Sequence, residues 1–210
     1  MYGALYASGF LVSLYLQAVH YTPLQVALLA LPTSLVLVAG AAWGGRISDR
    51  RGPRLPLTLG PVVLAAGLLL YLLVRPGSSW ALIALAAFVF GLGLCGIVAP
   101  ITNAVLQSAP DRLSGLAAGV STTVARVGGM FAIAIAALLA SSAFHGHAAA
   151  RGKTPFGKNE PPVLQQASKD AFRLGTLFAV GLALAGAVVG FVGLSDDDAR
   201  AEAARSAAPT

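Results

Sequence analysis

Charge is what this 210-residue sequence is short of. Charged residues make up 10% of it, where an ordinary soluble domain carries about 25%. With 57% hydrophobic residues and a mean hydropathy of +0.78, the chain reads as a membrane protein. Acidic residues are scarcest. There are eight, and none falls inside a long apolar run, so a titratable carboxylate at membrane depth is not expected. Cysteine is nearly absent too. The single Cys95 excludes an intrachain disulfide, and with no histidine near it in sequence it is read as a packing residue. The three histidines all sit between runs. There is no phosphate-cradling loop, no metal-ligand set within a run and no nucleophile–base pair at a shared depth. The sequence therefore predicts no enzyme, no metal and no cofactor. No basic region precedes the first apolar run, so no signal peptide is expected. That run starts directly after Met1, as if upstream sequence were missing.

A bilayer span needs roughly 20 apolar residues. Six runs come near that length: Tyr2–Val19, Leu24–Trp43, Leu55–Val74, Trp80–Pro100, Leu116–Ala140 and Leu174–Leu194. Alanine, leucine, valine and glycine dominate them, which favours helices over a barrel. The expected fold is all-α, a polytopic bundle of six transmembrane helices over residues 1–194, with a charged, alanine-rich tail over 195–210. The net charge of +6 does not point to nucleic acid, because the basic residues flank the runs without interleaved aromatics. They match a lipid bilayer as partner.

The densest charge lies between runs two and three. Gly45–Arg54 holds four arginines and one aspartate, while Met1–Gly45 and Leu55–Val74 hold no charge at all. A basic cluster wedged between two spans reads as a tight cytoplasmic loop. Six spans then put both termini in the cytoplasm of a multi-pass cell-membrane protein, with His145–Ala171 outside. That last connector is polar, contains Pro155, Pro161 and Pro162, and is expected to have little regular structure. His145 and His147 within it leave a metal site and a solvated loop both open. Pro23 suits a helix first turn, and Ser114 or Asp111 is expected to cap run five. Run four should continue past Pro100 towards Gln107. Gly91, Gly93 and Gly96 in run four, and Gly115 and Gly119 in run five, are expected to be close-packing sites.

The sequence Gly45, Ile47, Ser48, Asp49, Arg50, Gly52, Arg54, between the second and third of six spans, resembles motif A of the major facilitator superfamily. Tyr15-Leu16-Gln17, Thr22-Pro23-Leu24-Gln25 and Leu31-Pro32 are similar to the opening of the C-terminal half of the fourteen-span drug:proton antiporters. Leu116–Gly129 is similar to their penultimate span. The resemblance implies a 3+3 inverted repeat forming one half of a transporter that moves a small-molecule substrate by alternating access. It implies a gating role for Gly45, Asp49, Arg50, Gly52 and Arg54, a second bundle or second copy as partner, and proton coupling in the half not present. Multidrug efflux is the expected function. A carrier of a small, anionic metabolite and a truncated, non-transporting membrane protein are the alternatives.

Three further residues are candidates for the pathway. Arg126 is a charge within run five, where burial costs about 2.5–3.5 kcal/mol on insertion scales. It either faces a wet pathway or reaches the headgroups or Asp111. Gln17 either lines the pathway, since the first span of each bundle does so in the family, or makes an interhelical hydrogen bond. Thr122 belongs to the polar run Ser121-Thr122-Thr123 at membrane depth.

Overall fold

The computed structural model describes residues 2–18, 21–51, 54–74, 78–107, 110–146 and 162–193. Six α-helices account for almost all of them: α1 (Tyr2–Ala18), α2 (Pro23–Arg51), α3 (Arg54–Tyr71), α4 (Trp80–Gln107), α5 (Ser114–His145) and α6 (Pro162–Gly193). One 3-10 turn, Asp111–Leu113, precedes α5. Among the described residues there is no strand. Apolar stretches long enough to cross a bilayer lie in α2 (Pro23–Gly40), α4 (Trp80–Thr102), α5 (Ser114–His145) and α6 (Leu164–Phe191). The 17 residues of α1 and 18 of α3 extend about 25–27 Å at 1.5 Å per residue, against a hydrocarbon core of about 30 Å.

The helix ends follow local chemistry. Thr22 and Gln25 form a reciprocal capping box at the start of α2. The Thr22 N–H donates to Gln25 Oε1 at 2.8 Å, and the Gln25 N–H donates to Thr22 Oγ1 at 3.3 Å. This satisfies two end donors beside Pro23, which has no N–H to satisfy. The start of α5 differs from expectation. Its N-cap residue is Leu113, with no side-chain cap bond, because the preceding 3-10 turn already brings the chain into helical register. The Leu113 N–H instead closes onto the Pro110 carbonyl at 2.7 Å.

Three helices are longer than their apolar runs predicted; α5 continues five residues past Ala140 and takes in His145, a residue expected in the connector. Helix α2 continues through the arginine cluster to Arg51, so the cluster is mostly helix, and α3 resumes at Arg54. Helix α6 begins at Pro162, twelve residues before the predicted span, so residues 162–171 are helical rather than irregular. Leu164, Ala167, Ser168, Ala171 and Phe172 are all buried. Their spacing is that of one helix face, and Lys169, Asp170 and Arg173 occupy the remaining positions. Asp170 thus belongs to α6 rather than to a connector. It lies N-terminal to the helix's uninterrupted apolar run.

The packing is pseudo-symmetric. The main pairs are α3 with α4, α2 with α4, α3 with α6, α1 with α5, α5 with α6, and α1 with α6. Exchanging α1, α2, α3 for α4, α5, α6 maps α1–α5 onto α4–α2, α1–α6 onto α4–α3, and α3–α6 onto itself. This is the 3+3 inverted repeat. Sequence neighbours α1–α2 and α4–α5 barely touch.

The seams differ in texture. Helices α3 and α4 run antiparallel through glycine. A Cβ on Gly67 would lie 2.6 Å from the Phe90 nitrogen, one on Gly60 would lie 2.8 Å from Gly96 C, and one on Gly93 would collide with Leu64. Helix α2 lies parallel to α4. Thr33 donates to the Ala87 carbonyl at 2.8 Å, and the Cys95 thiol donates to the Val36 carbonyl at 3.1 Å. The other seam is alanine. Helix α5 buries Gly129, Ala132, Ala136, Ala140 and Phe144, with Gly3 of α1 against Ala132 and the Tyr6 ring against Gly129; α1 buries Ala4 and Ala7, and α6 buries Ala167, Ala171, Ala179 and Ala183. Glycines of α5 depart from expectation: a Cβ at Gly115, Gly119 or Gly128 meets nothing within 4 Å. The small residues of α5 form an open surface there rather than a packed seam.

Candidate functional site

The gap where α1 and α2 fail to touch is a cavity of about 490 Å³. Helix α1 contributes Ser8, Gly9, Val12, Ser13, Leu16 and Gln17, and α2 contributes Pro23 to Ser34 on its facing side. Tyr71 of α3 and Phe90 of α4 complete the wall. No charged side chain among the described residues lines it. Its size falls in the range of small-molecule sites, about 300–1,000 Å³, and its mixture of apolar walls and few polar groups is typical of them.

The polar groups are mostly turned onto backbone. Ser8 Oγ donates to the Leu5 carbonyl at 2.9 Å, and Thr33 Oγ1 to Ala87 as above. The Gln17 amide nitrogen donates to the Ser13 carbonyl and to Ser13 Oγ, both at 3.2 Å. A carbonyl only accepts, so the Gln17 NH₂ must face Ser13 and its Oε1 faces away. The structure therefore places Gln17 in the cavity wall with an intrahelical bond, not an interhelical one.

A second, smaller gap of about 130 Å³ lies between α4 and α5. Tyr2 and Tyr6 of α1, Thr102 of α4, and Ala118, Ser121, Thr122 and Ala125 of α5 line it. The inverted repeat relates this gap to the first: α1–α2 maps onto α4–α5. Thr122 lines it, with its hydroxyl donated to the Ala118 carbonyl at 2.8 Å. Arg126 follows Thr122 one turn later at the exposed surface of α5 and lines neither gap. The three pathway candidates are thus split: Gln17 in one cavity, Thr122 in the other, Arg126 on an open face.

At the end of the bundle near Trp80, aromatic side chains tie connectors together. The buried Tyr15 hydroxyl donates to the Val74 carbonyl at 2.9 Å, and Tyr21 donates to the Ser78 carbonyl at 3.2 Å. Tyr15 stacks on Phe172 with ring centres 4.0 Å apart, and Tyr21 meets Trp80 edge-on at 6.2 Å. These bonds fix one wall of the larger cavity relative to α3, α4 and α6.

Of the arginine cluster, Gly45, Asp49 and Arg50 lie on the last turns of α2 and Arg54 opens α3. Their side chains, and Gly52 altogether, lie outside the described residues, as do His147 and the 195–210 tail. His145 ends α5, with Nδ1 2.8 Å from the Ser141 carbonyl. Among the described residues no group of three metal-ligating side chains forms. Sequence reasoning missed Ser8, Ser13, Thr33, Tyr71 and Phe90 as cavity residues. Serine and threonine at membrane depth were the available signal; nothing in the sequence pattern singles out Tyr71.

The sequence profile of the Major Facilitator Superfamily matches residues 1–133, which include both gaps and the arginine cluster. Over 134 residues the chain is 31% identical to the tetracenomycin C resistance and export protein of Streptomyces glaucescens, covering 63% of this chain and 25% of that protein. Over 138 residues it is 30% identical to the multidrug resistance protein Stp of Mycobacterium tuberculosis, covering 63% and 25%. Over 134 residues it is 34% identical to the probable actinorhodin transporter of Streptomyces coelicolor, covering 61% and 23%. The matched segment spans about a quarter of the length of each relative.

Proposed function

Because the chain belongs to the Major Facilitator Superfamily, a family of multi-pass membrane carriers, we propose that its six-helix bundle is one half of an exporter of small amphipathic compounds. The bundle occupies residues 1–194, and 195–210 is a charged tail. The observation that carries the reading is the uncharged, drug-sized cavity between α1 and α2. The relatives' names, which speak of tetracenomycin C export, multidrug resistance and actinorhodin transport, support the substrate class.

In this reading the substrate moves by alternating access against a second six-helix bundle, either a different one or a second copy of this chain. The exposed stripe Leu24, Leu28, Leu31, Leu35 and Val38 on α2, and Val120, Val124, Val127 and Phe131 on α5, face lipid or that partner. Asp49, Arg50 and Arg54, with Gly45 and Gly52 as close-approach positions, form the cytoplasmic latch that stabilises the outward-open state. Both termini are cytoplasmic. Proton antiport resides in the other half, since no carboxylate of this chain lies within an apolar run. Gln17 and Thr122 line the path, and Arg126 answers a substrate group or a mobile counter-charge. Nothing in this reading requires an enzyme.

Efflux of the uncharged dye Nile red from a dye-sensitive bacterial host expressing the chain tests the reading in which a second copy is the partner. Faster efflux than the empty host is expected. Asp49→Asn should abolish the gain while the protein still inserts in the membrane. Efflux equal to the empty host refutes export by paired copies of this chain, and wild-type rates in Asp49→Asn remove the latch.

A further inference from the structure

Tyr71 is an anomaly of the larger cavity. It is 6% exposed, it lines the cavity wall, and its hydroxyl has no hydrogen-bond partner among the described residues. The two other tyrosines at that end, Tyr15 and Tyr21, both donate to backbone carbonyls. A buried phenol left without an acceptor is costly, and native structures rarely keep one without a use. The other cavity hydroxyls do not compete for the role. Ser8 and Thr33 are donated to backbone carbonyls at 2.9 and 2.8 Å, and Ser34 reaches Ala30 at 3.5 Å.

We propose that the α1–α2 cavity takes a neutral, ring-bearing ligand with a carbonyl or similar acceptor oxygen, and that the Tyr71 hydroxyl is the donor that orients it. Neutrality follows from the walls, which offer no counter-charge to an ion removed from water. Ring character follows from Phe90 and Tyr71, which give apolar faces beside aliphatic Val12, Leu16, Val26 and Leu29. The acceptor oxygen follows from the phenol, which no acceptor among the described residues satisfies and which a ligand oxygen displacing cavity water would. Gln17 Oε1, facing away from Ser13, offers a complementary acceptor to any ligand O–H or N–H. The inference rests on the cavity being the substrate pocket of the proposed exporter.

The probes are 9-fluorenone and fluorene, two neutral tricyclic molecules that differ by the carbonyl. Binding to the full chain in lipid nanodiscs is measured by equilibrium dialysis, with empty nanodiscs subtracted. The wild type should prefer fluorenone by roughly threefold to tenfold, the worth of one net neutral hydrogen bond. Tyr71→Phe should erase the preference and leave fluorene binding unchanged. Equal binding of both probes to the wild type, or an intact preference in Tyr71→Phe, overturns the role of Tyr71 while leaving the cavity as a binding site. Binding of neither probe above empty nanodiscs overturns both. Should Tyr71→Phe not fold, infrared spectroscopy of fluorenone on the wild type decides alone. A carbonyl stretch lowered relative to fluorenone in empty nanodiscs is expected, and an unshifted band overturns the assignment.

Discussion

Replacing Gly67 by alanine adds one methyl group where α3 crosses α4. The new Cβ would sit 2.6 Å from the Phe90 nitrogen and 2.7 Å from its Cα. Ordinary contact begins near 3.4 Å, so the helices must part by about 0.8 Å. A radial gap of 0.5–1 Å forfeits about a quarter to a half of each affected contact well. Overpacking of this kind costs about 1–3 kcal/mol. With a scaling of about 2–4 °C per kcal/mol for chains of 150–250 residues, the midpoint should fall by roughly 2–12 °C. The neighbours cannot yield, because the obstructing atoms are backbone rather than the end of a flexible side chain.

The protein carries its own reporter for this test. Cys95 is its single cysteine, 7% exposed and held against the Val36 carbonyl. A maleimide fluorophore that lights up on reaction with a thiol therefore reports when the bundle opens. Gly119→Ala is the control. Its Cβ meets nothing within 4 Å, and alanine is the better helix former by about 0.5–1 kcal/mol. Its midpoint should hold or rise. Equal shifts for Gly67→Ala and Gly119→Ala would refute the claim that α3 and α4 are glycine-keyed while the α5 glycines are open.

Other consequences are open to measurement. Tyr15→Phe removes the donor to Val74 and should cost about 0.5–1.5 kcal/mol in the same thiol assay; an unchanged midpoint would show that the bond adds nothing. Thr33→Val breaks the α2–α4 bond to Ala87 and should cost about 0.6 kcal/mol, the average for interhelical bonds in a bilayer, with faster Cys95 labelling before the main transition. Arg126→Ala should slow Nile red efflux if the arginine answers a substrate group or a mobile counter-charge in the path; unchanged rates reduce it to a headgroup contact. In a Cys95→Ala background, Ser48→Cys should react with an impermeant maleimide only from the cytoplasmic side, and labelling from outside would invert the proposed topology.

Much of the fold was legible in the sequence because hydropathy alone marks a lipid-facing helix. The limits of the helices were less legible, for the same reason. Arg46, Arg50 and Arg51 end an apolar run, but helical hydrogen bonding does not stop where apolarity does, so α2 runs on to Arg51. Gln165, Lys169 and Asp170 made the start of α6 look like a loop, although Leu164, Ala167, Ala171 and Phe172 already held a helical spacing. Glycines divided by neighbour rather than by motif. Gly93 faces Leu64, whereas Gly115 and Gly119 face nothing within 4 Å among the described residues, and spacing cannot tell one from the other. Gln17 could be found because an amide at membrane depth is conspicuous. Tyr71 could not, because its missing partner is a property of its surroundings, not of its type.

The two seams of the bundle have different mechanical consequences. Where α3 meets α4, the backbone of each helix lies directly against glycines of the other, Gly60 and Gly67 on α3 and Gly93 and Gly96 on α4, so the pair leaves no room for added bulk between them. Where α1 meets α5 and α6, side chains do the interlocking: the Tyr6 ring sits against Gly129 of α5 and Leu11 against Gly175 of α6. Helices α3 and α4 should therefore travel as one rigid plank, while α1 can slide past α5 or α6 only by first lifting Tyr6 or Leu11 out of its seat.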